Sequence, residues 1–336
     1  MSTKNRDITL DLMKSLLVIG MITAHVLQLC YVGGSKWMAA FSLFINMVTF
    51  SSFMFCFGCA SWLAYFRKYP DKGQVKGKLF RNFIRLLACF YISGYGYVWL
   101  MDSDFSLSAA VKVLVLWKIP GYSEFLLSFA FLNLVIYVLY NKIQILFVNK
   151  YKIGGGILCS LLSTFIPYGL VLIPVLGVFV GTTKFACFPI LQYFPFFLVG
   201  LYCQRFGKFG SKKLWLLACL ATLSSFVYVL YTHEIPVRFP PSLFWILWAS
   251  AFTILYYQIS SVMGAWMKNS RCRILADVFG AYTLDYLVIS NLMIFALRNV
   301  CGKTFEWYEC CLWAFAILVV CYLYGFYKLR KKSAQV

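Results

Sequence analysis

A chain of 336 residues with 62% hydrophobic and only 12% charged residues, and a mean hydropathy of +0.78, is excluded from the soluble globular class, where charged residues make up about a quarter of the sequence. Its net charge of +20 does not point to nucleic acid, because the basic residues are spread between apolar runs rather than gathered in one patch. The composition predicts an all-α, polytopic membrane helix bundle, a single transmembrane domain over residues 1–336, with loops too short for a separate soluble domain.

The first apolar run, Ile8 to Tyr31, is long enough for a helix to cross the hydrocarbon and carries Asp11, Lys14 and His25 within it. Ionisable groups in such a segment are costly and mark function by default. At about 100° per residue, the step from Lys14 to His25 is three turns plus about 20°, so both lie on one stripe, roughly 16 Å apart along the axis. Asp11, three residues before Lys14, faces the same way. Each feature also has a plainer reading. Lys4 and Arg6 before an apolar run could open a signal peptide, although no small-residue cleavage site follows Leu29. Lys14 alone fits a side chain snorkelling beside Asp11, and His25, one of two histidines, fits a satisfied packing residue.

Gly33-Gly34-Ser35 turns the chain into a second span, Met38 to Phe66, whose Gly58, Ala60 and Ser61 permit close helix approach. Cys56 and Cys59 form a CxxC inside that span without a second ligand pair, so no metal or redox site is expected. A basic loop from Arg67 leads to span 3, Phe80 to Leu100, with Arg81 and Arg85 one turn apart. After Asp102 and Asp104, a stretch with Lys112 and Lys118 is too short and polar to span and reads as an external interfacial or re-entrant helix.

Span 4, Ser123 to Phe147, begins with Glu124, whose place at a span end favours exposure. Span 5, Ile153 to Val180, is interrupted by Pro167 and Pro174, a break tolerated where a helix lines a cavity. Spans 6 and 7 follow at Phe188 to Phe206 and Leu214 to Tyr231. His233, Glu234 and Arg238 then occupy an external loop, and Pro240-Pro241-Ser242 opens span 8. Span 9, Ile274 to Leu297, holds Asp277 and, deeper, Asp285, expected to pair with a buried cation or a tyrosine. Span 10 is Trp307 to Tyr327, with a basic tail. Cys301, Cys310 and Cys311 flank an external loop and allow a disulfide if the outside is oxidising.

Ten spans put 23 of the 31 lysines and arginines on one side, which by the positive-inside rule makes both termini cytoplasmic. That basic face meets anionic lipid and any anionic cytosolic ligand. By physical chemistry alone His25 is a general-base candidate, since imidazole titrates near neutral pH. Lys14, Arg81 and Arg85 are suited to hold a phosphorylated donor, or simply to anchor the cytoplasmic face.

The segment DLMKSLLVIGMITAH, Asp11 to His25, resembles the opening of the membrane acyltransferase 3 family, whose members carry an arginine or lysine, ten residues and then a histidine. FMFCFGCASWL resembles the family's second span, with Phe57-Gly58-Cys59 in place of its usual Ser-Gly-aromatic. RNFIRLL, with Arg81 and Arg85, is similar to its basic approach to span 3. GAYTLDYLVIS resembles a late family motif in shifted form, with Ser290 where many relatives have a histidine. The resemblance runs through the whole chain in span number and order.

It implies a multi-pass enzyme of the inner, cytoplasmic membrane that moves an acyl group from acyl-CoA, commonly acetyl-CoA, to a hydroxyl of an extracytoplasmic or lipid-linked glycan. Acyl-CoA would be a co-substrate, with no permanently bound cofactor. His25 would activate the acceptor, Lys14, Arg81 and Arg85 would face the CoA phosphates, and Asp11, Glu124 and Asp285 would support them. Transfer to an amino sugar, as in transmembrane glucosamine N-acetyltransferases, stays open. So does a transporter or flippase for a lipid-linked saccharide, with which broken span 5 and Asp285 are compatible.

Overall fold

The computed structural model describes residues 7–69, 72–146, 149–267, 270 and 273–333. Lys4, Arg6, Lys268, Arg271 and the expected end of span 4 at Phe147 lie outside the described residues. Thirteen α-helices form among the described residues. Helix α1 (Ile8–Cys30) starts where the Asp7 carboxylate accepts from the N–H groups of Thr9 and Leu10, and it buries residues on nearly every face, as a core helix does. Then come α2 (Lys36–Ser61), prolonged by a π turn at Trp62–Phe66, α3 (Lys72–Leu100) and α4 (Leu107–Leu114). The chain continues with α5 (Glu124–Leu146), α6 (Lys150–Leu162), α7 (Pro174–Val180), α8 (Ile190–Phe206) and α9 (Lys212–Thr232). It closes with α10 (Leu243–Met267), α11 (Arg273–Ala281), α12 (Thr283–Cys301) and α13 (Trp307–Ser333).

Eight of these are long and apolar enough to cross a membrane: α1, α2 with its π turn, α3, α5, α9, α10, α12 and α13. Where the sequence predicts span 5, α6 gives way to two 3₁₀ turns, Ser163–Phe165 and Tyr168–Leu170, before α7. Pro174 is the first residue of α7, where a missing N–H costs least. Side chains satisfy the carbonyls this break releases: Gln192 Nε2 donates to Ser163 (3.1 Å) and Val180 (2.8 Å), and the Thr182 hydroxyl to Val171 (2.7 Å). At 17 residues, α8 falls short of the roughly 20 a perpendicular crossing needs. Expected span 9 is two helices, α11 and α12, parted at Tyr282, whose backbone leaves the helical region.

The chain divides into two compact units, the first comprising Met1–Thr49, Leu100–Ser103 and Leu255–Val336. Its axis is α1, against which α11, α12 and α13 pack. Leu12 meets Met267 and Ala276 in its core, with Ile8 and Met263 alongside. Just past α1, the Val32 N–H donates to the Phe305 carbonyl (3.0 Å) and the Phe305 N–H to that of Cys30 (3.1 Å), tying the segment before α13 to the end of α1.

The second unit comprises Phe50–Trp99 and Asp104–Ile254. Gly58 and Gly200 let α2 and α8 touch backbone to backbone: a Cβ on Gly58 would strike the Phe197 carbonyl oxygen, and one on Gly200 that of Phe55. Ala60, by contrast, faces outward. The Cys59 thiol donates to the Gly200 carbonyl at 3.2 Å, so this half of the CxxC is a packing group. Between α9 and α10, the hydroxyls of Thr222 and Ser225 donate to the carbonyls of Trp248 (3.1 Å) and Phe244 (2.7 Å). Helix α4 packs Ala109 and Val113 on Val98, Tyr91 and Tyr95, while Phe105, Leu107, Leu114 and Trp117 in and around it stay exposed, the pattern of an interfacial helix.

Candidate functional site

Asp11, Lys14 and Gly280 form a clasp in the first unit. Asp11 is 4% exposed, and the Lys14 ammonium lies 2.7 Å from its Oδ1. The same ammonium donates to the Gly280 carbonyl at 3.0 Å. Gly280 belongs to the last turn of α11, where carbonyls lack intrahelical partners and the helix dipole is negative, so Lys14 caps α11 from a distant helix. Only glycine fits there, since a Cβ would lie 2.7 Å from the Asp11 Cα. An ammonium has three N–H donors, and these contacts engage two.

His25 lies three turns along the same continuous helix. Its ring is half-buried with Nδ1 sealed from solvent. One turn further, Gln28 lines a recess of about 250 Å³ that mixes Tyr31, Ser42 and Lys303 with apolar Leu27, Met38 and Ala39. The Gln28 amide donates to the Ser42 hydroxyl at 2.8 Å, which fixes that wall.

Asp285 meets both kinds of partner expected of it, but not at depth. Its Oδ2 accepts from Lys328 at 2.6 Å and from the Tyr324 hydroxyl at 3.4 Å. Asp285 stands in the first turn of α12, and the Lys328 side chain is 42% exposed, so the expected buried cation is a wet one at the end of α13. Exposed pairs contribute little, so Lys328→Ala should lower unfolding free energy by no more than about 1 kcal/mol, as read from an unfolding titration in lipid–detergent mixtures. Ser290 is buried and donates to the Leu287 carbonyl at 3.3 Å. The thiols of Cys301, Cys310 and Cys311 are free, and the expected disulfide is not formed: Cys310 and Cys311, adjacent on α13, face inward and outward respectively.

Arg81 and Arg85 belong to the second unit and are exposed on the first half of α3. Glu124 corrects the expectation of an exposed span end, being 8% exposed. The turn before α5 folds inward there: the Ser123 hydroxyl donates to that of Ser93 (2.9 Å), and Ser128 donates to the Phe188 carbonyl (2.7 Å). Arg238, read as a loop residue, stacks its guanidinium on the rings of Phe239 and Phe188, at 4.4 and 5.4 Å. Burial pulls that guanidinium below its usual range, while Tyr193, Glu124 and Tyr122 act electrostatically to hold its proton. It therefore stays charged. One sequence signal could have found it: an arginine in VRFPP, with apolar neighbours on both sides, is poorly suited to a solvated loop.

Together the apolar helices, the buried ion pair on α1 and the part-sealed histidine define a multi-pass α-helical membrane protein with ionisable groups built into its core. Searches with family profiles, among curated proteins and among solved structures find no match to the chain.

Proposed function

We propose that this protein is an integral membrane acyltransferase that moves an acyl group, acetyl in the simplest case, from cytosolic acyl-CoA to a hydroxyl of an extracytoplasmic or lipid-linked glycan. In this reading the membrane is the inner one, both termini are cytoplasmic, and α6 with α7 and then α8 complete ten crossings. The observation that carries it is the construction of α1, with a lysine held in place by Asp11 and Gly280 and a half-buried histidine eleven residues on along the same helix. The resemblance of the same segment, Asp11 to His25, to the acyltransferase 3 opening supports it.

The remaining N–H of Lys14 would meet an oxygen of the CoA phosphates. His25 would take the proton of the acceptor hydroxyl as its oxygen bonds to the thioester carbon. The C–S bond then breaks, and CoA leaves as a thiolate that is reprotonated. Asp11 would keep Lys14 in position, and Glu124 and Asp285 would have supporting structural roles.

The test is release of CoA thiol from acetyl-CoA by the purified protein in lipid with a mixed glycan acceptor pool. Wild type should turn over, and His25→Gln, folded to the same extent, should be slower by at least about 100-fold. A well-folded wild type that neither binds acetyl-CoA nor releases CoA would overturn the reading.

A further inference from the structure

Helix α3 turns outward a face that suits neither lipid chains alone nor water alone. Its rotation is fixed by its inner side, where Val75 and Leu79 are buried and the Lys72 and Lys78 ammonium groups sit over the rings of Tyr137 and Tyr65, at 4.9 and 5.2 Å. The Asn82 amide donates to the Tyr65 hydroxyl at 2.6 Å, and Phe83 meets Phe131 with ring centroids 6.2 Å apart. On the outer side Arg81, Ile84, Arg85, Ala88, Ile92 and Trp99 are exposed, and at about 100° per residue they fall within an arc of roughly 100°. Two arginines thus head an apolar track along one side of the helix.

The depth of the arginines follows from the other end of the track. Trp99 stacks on Tyr95 at 5.8 Å, next to the interfacial helix α4, and an indole so placed sits at headgroup level. Counting back at about 1.5 Å per residue, Arg85 lies roughly 21 Å and Arg81 roughly 27 Å from it, against a hydrocarbon core of about 30 Å. Both guanidinium groups therefore reach the opposite headgroup layer, Arg85 from just inside it. From Arg67 to Arg85 the sequence holds seven lysines and arginines and one acid, Asp71, so little of this charge is balanced locally.

A phosphodiester suits the head of the track, since guanidinium forks one turn apart share its oxygens. An acyl chain suits the rest, where Ile84 and Ile92 are 46% and 53% exposed and Ala88 leaves a notch between them. A second copy of the chain fits less well, because a two-fold contact along the track would set arginines against arginines at one depth. We propose that the outward face of α3 binds an anionic phospholipid, its phosphate held by Arg81 and Arg85 and an acyl chain lying along Ala88 and Ile92. The site stands apart from the acyl-transfer reading, because it belongs to the unit that does not carry Lys14 and His25.

The experiment is native mass spectrometry of the full chain in detergent, titrated with phosphatidylglycerol or with phosphatidylcholine of matched acyl chains. The first phosphatidylglycerol should bind the more tightly, and Arg81→Gln with Arg85→Gln should weaken it by about tenfold or more, the effect of losing hydrogen bonds between charged groups. Phosphatidylcholine binding should not change. Lys212→Gln with Lys213→Gln, an equal loss of charge at exposed positions that open α9, should leave both lipids unaffected. Ala88→Trp, also at an exposed position, should weaken both lipids by filling the track. Equal losses in the arginine and lysine pairs, or an Ala88→Trp chain that binds as wild type does, would overturn the proposal and leave only diffuse attraction between basic residues and the membrane. Displacement of phosphatidylglycerol by glycerol phosphate or acetyl-CoA would overturn it in favour of a soluble phosphate, and a dimer mass that Ala88→Trp abolishes would do so in favour of a second copy.

Discussion

Lys14→Met is expected to lower the stability of the protein by about 3–5 kcal/mol, the cost of breaking a buried ion pair from one side. Asp11 is nearly inaccessible, so removing the ammonium takes an ion-pair contact from a buried carboxyl group that water cannot reach. The Gly280 carbonyl would lose its cap at the same time. The double substitution Asp11→Asn with Lys14→Met removes both charges and should recover most of the loss, which a double-mutant cycle on unfolding midpoints would show. The same double variant separates structure from function. If it folds and its affinity for acetyl-CoA is gone, the ammonium serves the donor; if it binds acetyl-CoA as wild type does, the donor role of Lys14 falls.

Gly200→Val should be nearly as damaging, with a loss of at least about 3 kcal/mol, because the added atoms meet backbone instead of a movable side chain. Gly58→Val should behave alike, since the two glycines face each other's helices across one contact. The natural comparison is Gly154→Ala or Gly155→Ala on α6, where a Cβ meets nothing within 4 Å. Those changes should be neutral or stabilising by up to about 1 kcal/mol, from helix propensity alone. Thermal midpoints of all four variants in one detergent would decide the matter. Equal behaviour of Gly200→Val and Gly154→Ala would show that α2 and α8 do not need close approach.

The parts of this fold that are local were legible in the residues. Helix α1 follows from an apolar run with a capping Asp7, and the meeting of Asp11 with Lys14 follows from three-residue spacing on a helix. Gly58 announced close approach because a glycine amid aromatic residues has few other uses in a membrane helix. What stayed hidden depends on residues far apart in the chain. Glu124 looked exposed because the turn that carries it is drawn inward through Ser123 and Ser128, whose partners Ser93 and Phe188 are far from it in sequence. The split of span 9 at Tyr282 carries no proline, and the group that meets the Gly280 carbonyl there, the Lys14 ammonium, comes from a helix 266 positions away.

That separation also sets a schedule for biosynthesis. At roughly 5–20 residues per second, α1 leaves the ribosome about 13–53 s before the carbonyl that Lys14 will hold. Throughout that interval the newly inserted helix keeps its charge pair without the wall that α11, α12 and α13 later supply. A nascent chain stopped before Arg273 would leave that flank open to lipid and to the proteases that survey unassembled membrane proteins. Helix α1 thus enters the bilayer long before its unit can finish folding, and the synthesis of α11, α12 and α13 settles whether that unit is retained or destroyed.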